Sequence, residues 1–269
     1  MHRDTLVPEK DSELEELVKI VVIGGTGLIG SRVVTELGRQ GHDVLPASPS
    51  SGVDILTGDG LADALTGAEV IVDVANSPSF EDVPALDFFT RAGNNLLAAA
   101  RAAGISHYVA LSVVGTDRLQ DSGYFRAKLA QERLIRDGGI PFTIVRATQF
   151  FEFVGRIADS ATVGGTVRIT SAASQPMAAD DVATAVAGVA VGPSADAIVE
   201  VCGPERIGLD ELVSLQLRAS GDDREVVTDR AAPYFGVMLD DTTLVAGAEA
   251  TVFGSRFADW LADSAPVHQ

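Results

Sequence analysis

Residues 17–48 read LVKIVVIGGTGLIGSRVVTELGRQGHDVLPAS, and the order of their parts decides the fold. An apolar run ends at Ile23, a glycine-rich turn follows through Gly30, and apolar side chains then recur at helical spacing until Gly41. A second apolar segment, "DVLPA", comes directly after. A strand that is apolar without alternation is buried on both faces, which calls for a parallel sheet covered by helices on either side. Strand, turn, helix and strand form the first unit of such a sheet.

The alternation continues down the chain. "VIVDVANS" (70–77), "SHYVALSVV" (106–114) and "PFTIVRAT" (141–148) read as further buried strands. Helices are expected over Leu61–Leu65, Asp87–Ala102, 124–137 and from Phe151 into Ser160. Later pieces are more mixed, with strands at 164–170, 197–203 and 224–229 and helices at 178–192, 209–221 and 254–263. The pattern predicts an α/β, doubly wound parallel sheet with a small C-terminal lobe on the substrate side. The expected organisation is an N-terminal arm at 1–17, a core at 18–150, and a segment at 151–269 that completes the core and forms the lobe.

Bulk properties narrow the field. The chain has 269 residues, 46% of them hydrophobic and 22% charged, a balance that suits a folded globular protein. Its formal charge of −18, from 38 acids against 20 bases, repels nucleic acid and anionic membrane, and no basic run opposes it. The single cysteine, Cys202, excludes an intramolecular disulfide and reads as a buried strand-end residue. No window approaches a membrane span, and residues 1–17 carry acids where a signal peptide needs an apolar centre, so a cytoplasmic location is expected. No cluster of histidines and acids suggests a metal site; His107 is expected at an edge.

Gly24, Gly27 and Gly30 stand in the spacing G-x-x-G-x-x-G between strand and helix. A pyrophosphate needs close backbone approach and the free N–H groups of a helix N-terminus. The turn residues Gly24, Thr26, Gly27, Leu28, Ile29 and Gly30 are therefore the expected dinucleotide cradle. An NAD site usually offers an acid at the end of the second strand. This strand ends at Ser48 and Ser50 with no acid before Asp54, so NADP(H) is favoured over NAD(H). Arg32 either reaches a 2′-phosphate or is a solvated face residue, and Asn76 and Ser77 either touch the cofactor or serve a turn.

Tyr124 and Lys128 lie four apart on one helix face. A tyrosine hydroxyl can protonate a developing alkoxide, and a nearby ammonium favours its release of the proton while also holding a ribose. Ser112, ending a parallel strand, is placed to position a carbonyl oxygen. Gln149, Phe150, Phe151 and Phe153, after the fifth strand, either wall an apolar substrate pocket or pack the lobe. Asn94 or Asn95 is a candidate to tie its helix to nearby backbone.

The segments "GGTGLIG", "VALSVVG", "YFRAK", "GIPFTIVRATQFFEF" and "QPMAADDVATAV", in that order over residues 18–190, resemble the short-chain dehydrogenase/reductase superfamily in its atypical, NmrA-like and NAD(P)H-binding branch. The resemblance implies a Rossmann core, an NAD(P)(H) cofactor, a homodimer or homotetramer, and catalysis by Tyr124 and Lys128 with Ser112. Many NmrA-like relatives lack the tyrosine and sense cofactor without turnover; this chain keeps it. It departs from the Arg-Pro of extended-type members with Arg146-Ala147. The expected function is an NAD(P)H-dependent reductase or dehydrogenase acting on a small apolar or aromatic carbonyl compound. The alternatives are a cofactor-sensing binding protein and a quinone or enone reductase.

Overall fold

A computed structural model describes residues 17–264, so all but the last residue of the expected N-terminal arm lies outside the described part. The elements run β1 (Lys19–Ile23), α1 (Leu28–Arg39), β2 (Asp43–Ala47), α2 (Leu61–Leu65), β3 (Val70–Asp73), α3 (Asp82–Ala103), β4 (His107–Val113), α4 (Gly123–Arg136) and β5 (Phe142–Ala147). A short 3-10 turn, Phe151–Phe153, leads into α5 (Val154–Ser160), β6 (Thr162–Val163), β7 (Thr166–Ile169) and β8 (Ala173–Ser174). Then come α6 (Ala179–Val191), β9 (Ala197–Cys202), β10 (Ile207–Gly208), α7 (Leu209–Ser220), β11 (Glu225–Thr228), β12 (Thr251–Val252) and α8 (Phe257–Ser264).

Seven strands form one parallel sheet in the order β12-β9-β5-β4-β3-β1-β2. The fully apolar stretches read from the sequence are its interior strands: Ile20, Val22, Val72, Val109 and Val145 pack beneath α1 and α6. Val21, Ile23, Ile71, Tyr108 and Ile144 pack toward α2 and α3 on the other face. Chain direction across the sheet reverses between β1 and β3, and the crevice beyond the strand ends at such a switch point is where ligands bind in these sheets. β9 and β12 extend the sheet beyond β5, and α6 returns to pack on α1, so the C-terminal segment completes the core as well as building a lobe.

The lobe has its own apolar cluster, with Phe151, Val154 and Ile157 from α5 and its lead-in meeting Leu209, Leu212 and Val213 of α7 and Phe257 of α8. His107 corrects an expectation: β4 lies between β3 and β5, so this residue is central and 5% exposed, paired with Thr143 Oγ1 at 3.0 Å. Asn95 donates to the carbonyls of Ile55 and Leu56 at 2.9 and 3.0 Å, binding α3 to the loop after β2. Among the described residues no helix is long and apolar enough to cross a membrane.

Candidate functional site: a dinucleotide cleft opening into an aromatic pocket

The turn between β1 and α1 uses each of its spaced glycines for a different reason. Gly24 sits at φ +77°, the left-handed region that glycine adopts without penalty. A Cβ on Gly30 would stand 2.1 Å from the Gly24 carbonyl oxygen, so α1 can pack this close to β1 only without a side chain there. A Cβ on Gly27 would meet only the Gly24 oxygen, at 3.3 Å, and its outer side faces an open cleft of about 590 Å³. Gly27 is also the residue before α1, and no side chain caps the helix start. First-turn N–H groups and the positive end of the helix dipole therefore border the cleft. The turn has the backbone approach and the open donors that a dinucleotide pyrophosphate requires.

Thr26, Leu28, Ile29, Ser48, Asn76, Ser77, Ser112 and Lys128 line the same cleft, together with Pro49, Val53 and Ile55 at its β2 end. Two candidate residues lie outside it. Arg32 points the other way, pairing with Asp180 of α6 at 2.7 Å and donating to the Leu28 carbonyl at 2.8 Å. Its side chain borders a separate surface hollow between α1 and α6, since the first turn of α1 rotates it off the cleft face. Ser50 is exposed outside the cleft and reaches it only through Ser48, their hydroxyl oxygens 2.8 Å apart.

Tyr124, in the first turn of α4, donates its hydroxyl to Asn76 Oδ1 at 3.0 Å. Burial pushes the phenol above the ordinary tyrosine range, and the bond to Asn76 opposes this only in part. The expected tuning by Lys128 is absent. That ammonium turns inward, donating to the Leu111 carbonyl at 2.9 Å and to Gln131 Oε1, 4.7 Å from the centre of the Phe89 ring. Burial lowers the Lys128 pKa to about 8, against the pull of the Asp73 and Glu132 carboxylates. Asp73, 2% exposed at the end of β3, accepts from Tyr108 and Gln131 at 3.0 Å each; burial raises its pKa and the Lys128 charge resists. Gln131 thus links the lysine to a buried acid.

Ser112 also differs from its expected part. Its hydroxyl donates to Glu132 Oε1 at 2.6 Å, and that carboxylate takes two bonds from Arg146, at 2.9 and 2.7 Å. Arg146 reaches Asp117 as well, at 3.1 Å. The serine proton is committed to this buried assembly, so Ser112 borders the cleft without a free hydrogen for a substrate oxygen. Breaking such a buried pair by removing one partner costs about 3–5 kcal/mol. Arg146-Ala147 thus marks a structural ion pair under the site.

Beyond Tyr124 the cleft opens into a second cavity of about 340 Å³. The two share Asn76, Phe80, Val113, Tyr124, Phe150 and Phe153. Phe125, Phe150, Phe153, Tyr234 and Phe235 give the second cavity an aromatic wall, and Phe80 packs 4.8 Å from the Tyr124 ring. Phe151 is not part of it: it packs on Phe257 and Trp260, at 5.0 and 5.6 Å, inside the lobe. Gln149 is there with its neighbour Thr148, and the side-chain polar atoms of both are buried without a hydrogen-bond partner. Burying such groups unpaired is costly, so they mark a place built for a polar contact.

Sequence reasoning missed Phe80, Thr148, Arg156, Tyr234 and Phe235. The last two sit in a tight turn in which Phe235 at φ +45° and Gly236 at φ +86° are both left-handed. A phenylalanine there is strained by about 1–2 kcal/mol, and the ring it holds out stacks toward Phe80, 6.3 Å away. The aromatic pair before a glycine in "APYFGV" was the available signal.

Residues 24–193 match the NAD(P)H-binding protein family. The photosystem II assembly factor Ycf39 of Cyanophora paradoxa is 26% identical over 175 residues, 58% of this chain and 54% of that one. The (4-alkanoyl-5-oxo-2,5-dihydrofuran-3-yl)methyl phosphate reductase of Streptomyces griseus is 29% identical over 144 residues, 49% and 48% of the two chains. The chain thus spans about half the length of these curated relatives. The solved structure of MoeE5 with UDP-glucose and NAD superposes at a TM-score of 0.65 over 91% of this chain and 96% of that one, at 20% identity, a likeness of fold. With the family match spanning the glycine turn, Tyr124, Lys128 and α6, the chain belongs to the NAD(P)H-binding family of Rossmann-type proteins.

Proposed function

We propose that the protein is an NAD(P)H-dependent reductase of a small, uncharged, apolar or aromatic carbonyl or enone compound, with Tyr124 as its proton donor. The observation that carries this reading is the place of Tyr124, which lines both the glycine-turn cleft and the aromatic cavity. A bound nicotinamide cofactor supplies the hydride. The turn from Gly24 to Gly30 would hold its pyrophosphate, Ser48 and its neighbours the adenosine end, and Lys128 and Asn76 the other end.

Burial keeps the Tyr124 phenol protonated, which suits donation to a substrate oxygen or carbon in the reductive direction. Asn76 fixes where that proton points. Ser112 acts as a positioning residue through Glu132 instead of touching substrate. Phe80, Phe150, Phe153 and Phe235 exclude water and favour a flat apolar body, while Gln149 and Thr148 await a polar atom on it. The absence of an acid at the end of β2, with Ser48 and Ser50 in its place, favours NADP(H); the loss of Arg32 from the cleft weakens that preference.

A second reading, binding without turnover, is favoured by one observation, the similarity to an assembly factor. The test follows NADPH and NADH oxidation against aromatic ketones, quinones and unsaturated lactones, with a nucleotide sugar for contrast. Turnover of an uncharged compound with none of the nucleotide sugar is expected. Turnover of the nucleotide sugar alone overturns the substrate class.

A further inference from the structure

Arg156 is the one cation of the cleft wall that the site just described leaves unused. The cleft is lined by two cations, Lys128 and Arg156. Lys128 is 3% exposed and two of the three N–H donors of its ammonium are engaged by the Leu111 carbonyl and Gln131, so it has one left for a ribose and no fork to grip a phosphate. Arg156 lies on α5, exposed, and takes no part in the ion pairs formed among the described residues.

What holds Arg156 is aromatic. Its guanidinium carbon is 5.9 Å from the centre of the Phe80 ring and 5.7 Å from that of Phe153. Phe80 comes from the loop between β3 and α3, and Phe153 from the turn before α5. Ring faces orient a planar guanidinium without using its N–H groups, so its donors stay free for an anion, which a guanidinium can grip with two parallel bonds. The turn after β1 presents only main-chain dipoles to the cleft, in a protein of net charge −18. A dinucleotide entering it brings at least two full negative charges, and the one uncommitted cation on the wall stands on α5, seated on rings from the segments after β3 and β5.

We infer that Arg156 clamps the cofactor pyrophosphate from the side opposite the glycine turn, an inference that rests on the dinucleotide reading of the cleft. The turn supplies neutral donors from one side and the arginine supplies the compensating charge from the other. Its aromatic seat is shared with the mouth of the substrate cavity, so the same residue that holds the phosphate also fixes Phe80 and Phe153 beside Tyr124.

The test is calorimetric titration of the wild-type protein, Arg156→Gln and Arg156→Lys with NADH, NADPH, ADP-ribose and adenosine, each at two salt concentrations. Charge-assisted contacts of this kind predict that Arg156→Gln weakens NADH, NADPH and ADP-ribose by a common factor of about 10 to 100. Adenosine is unaffected, Arg156→Lys recovers part of the loss, and salt dependence flattens in the glutamine variant. Thermal midpoints should change little, because the side chain is exposed, forms no ion pair among the described residues, and gives up only two exposed ring contacts. Equal affinity of wild type and Arg156→Gln for all three phosphate-bearing ligands overturns the clamp. A loss confined to NADPH overturns it too, placing the arginine at the 2′-phosphate. Failure of the wild-type protein to bind any of them is a different result, since it removes the dinucleotide reading itself.

Discussion

The glycine turn and the aromatic pocket meet at Tyr124 and are built in opposite ways. The turn is local: seven consecutive residues, Gly24 to Gly30, make it from main chain, and their side chains matter mostly by being absent. The pocket is assembled from side chains carried by five separate stretches, around Phe80, Val113, Tyr124, Thr148–Phe153 and Tyr234–Phe235. A main-chain cradle suits a ligand with fixed phosphates, which any member of a family can bind alike. A side-chain wall suits a ligand that differs from one relative to the next. On the function proposed above, the same molecule separates a general cofactor bed from a specific substrate surface.

That contrast can be broken by substitution, and the largest effect belongs to the turn. Gly30→Ala drives a Cβ against the Gly24 carbonyl, so a stability loss of about 1–3 kcal/mol is expected together with weakened cofactor binding. Gly27→Ala, whose Cβ meets only the Gly24 oxygen, at 3.3 Å, should cost far less stability than Gly30→Ala and still weaken the cofactor. Thermal melts beside fluorescence titration with NADPH separate the two; a Gly27→Ala protein that binds normally would move the pyrophosphate elsewhere.

The pocket should respond in the reverse sense. Phe235→Asn keeps a residue that accepts the left-handed turn and deletes the ring. Stability should change by less than about 1 kcal/mol, while KM for an apolar substrate rises about tenfold and NADPH affinity holds. A parallel loss of cofactor affinity would show that the two regions are not separable.

The smallest effect is a pH dependence at their junction. Lys128 loses its proton near pH 8, so cofactor affinity should fall as pH rises through that value, and Lys128→Met should lack the limb. Stability moves the other way. The lysine pKa is lowered by folding, so between about pH 8 and the ordinary lysine range near 10.4 the unfolded chain holds the extra proton, and the Lys128 contribution grows more favourable as pH rises. The difference between wild-type and Lys128→Met unfolding curves across that window measures it. A difference that shrinks with pH would refute the assigned shift.

How much of this was legible follows the same division. The strands β1, β3, β4 and β5 announce themselves because burial on both faces forces continuous apolar runs, β2 at the half-buried sheet edge follows from its place after α1, and α2 was readable at Leu61–Leu65. α3 begins at Asp82, ahead of the expected Asp87, because Pro84 falls in the first turn, where its missing N–H costs nothing. β12, two residues long, is too short for periodicity to reveal. In the site, the glycine turn between β1 and α1 and the presence of Tyr124 and Lys128 on one helix are short-range patterns and could be read. The destinations of Arg32, Ser112 and Lys128 could not, because Asp180, Glu132 and Asp73 reach them through the fold from distant parts of the chain. Phe151 and Phe153 are two residues apart, and only the 3-10 turn that carries them decides that one faces the lobe core and the other the cleft.

The most direct test of the central claim compares wild type and Tyr124→Phe in two readouts at once, NADPH affinity and the single-turnover rate of NADPH oxidation with an active carbonyl or enone substrate. Tyr124 as proton donor predicts affinity within about twofold of wild type and a rate lower by about 10²–10⁴-fold. An undiminished rate with intact NADPH binding would contradict it.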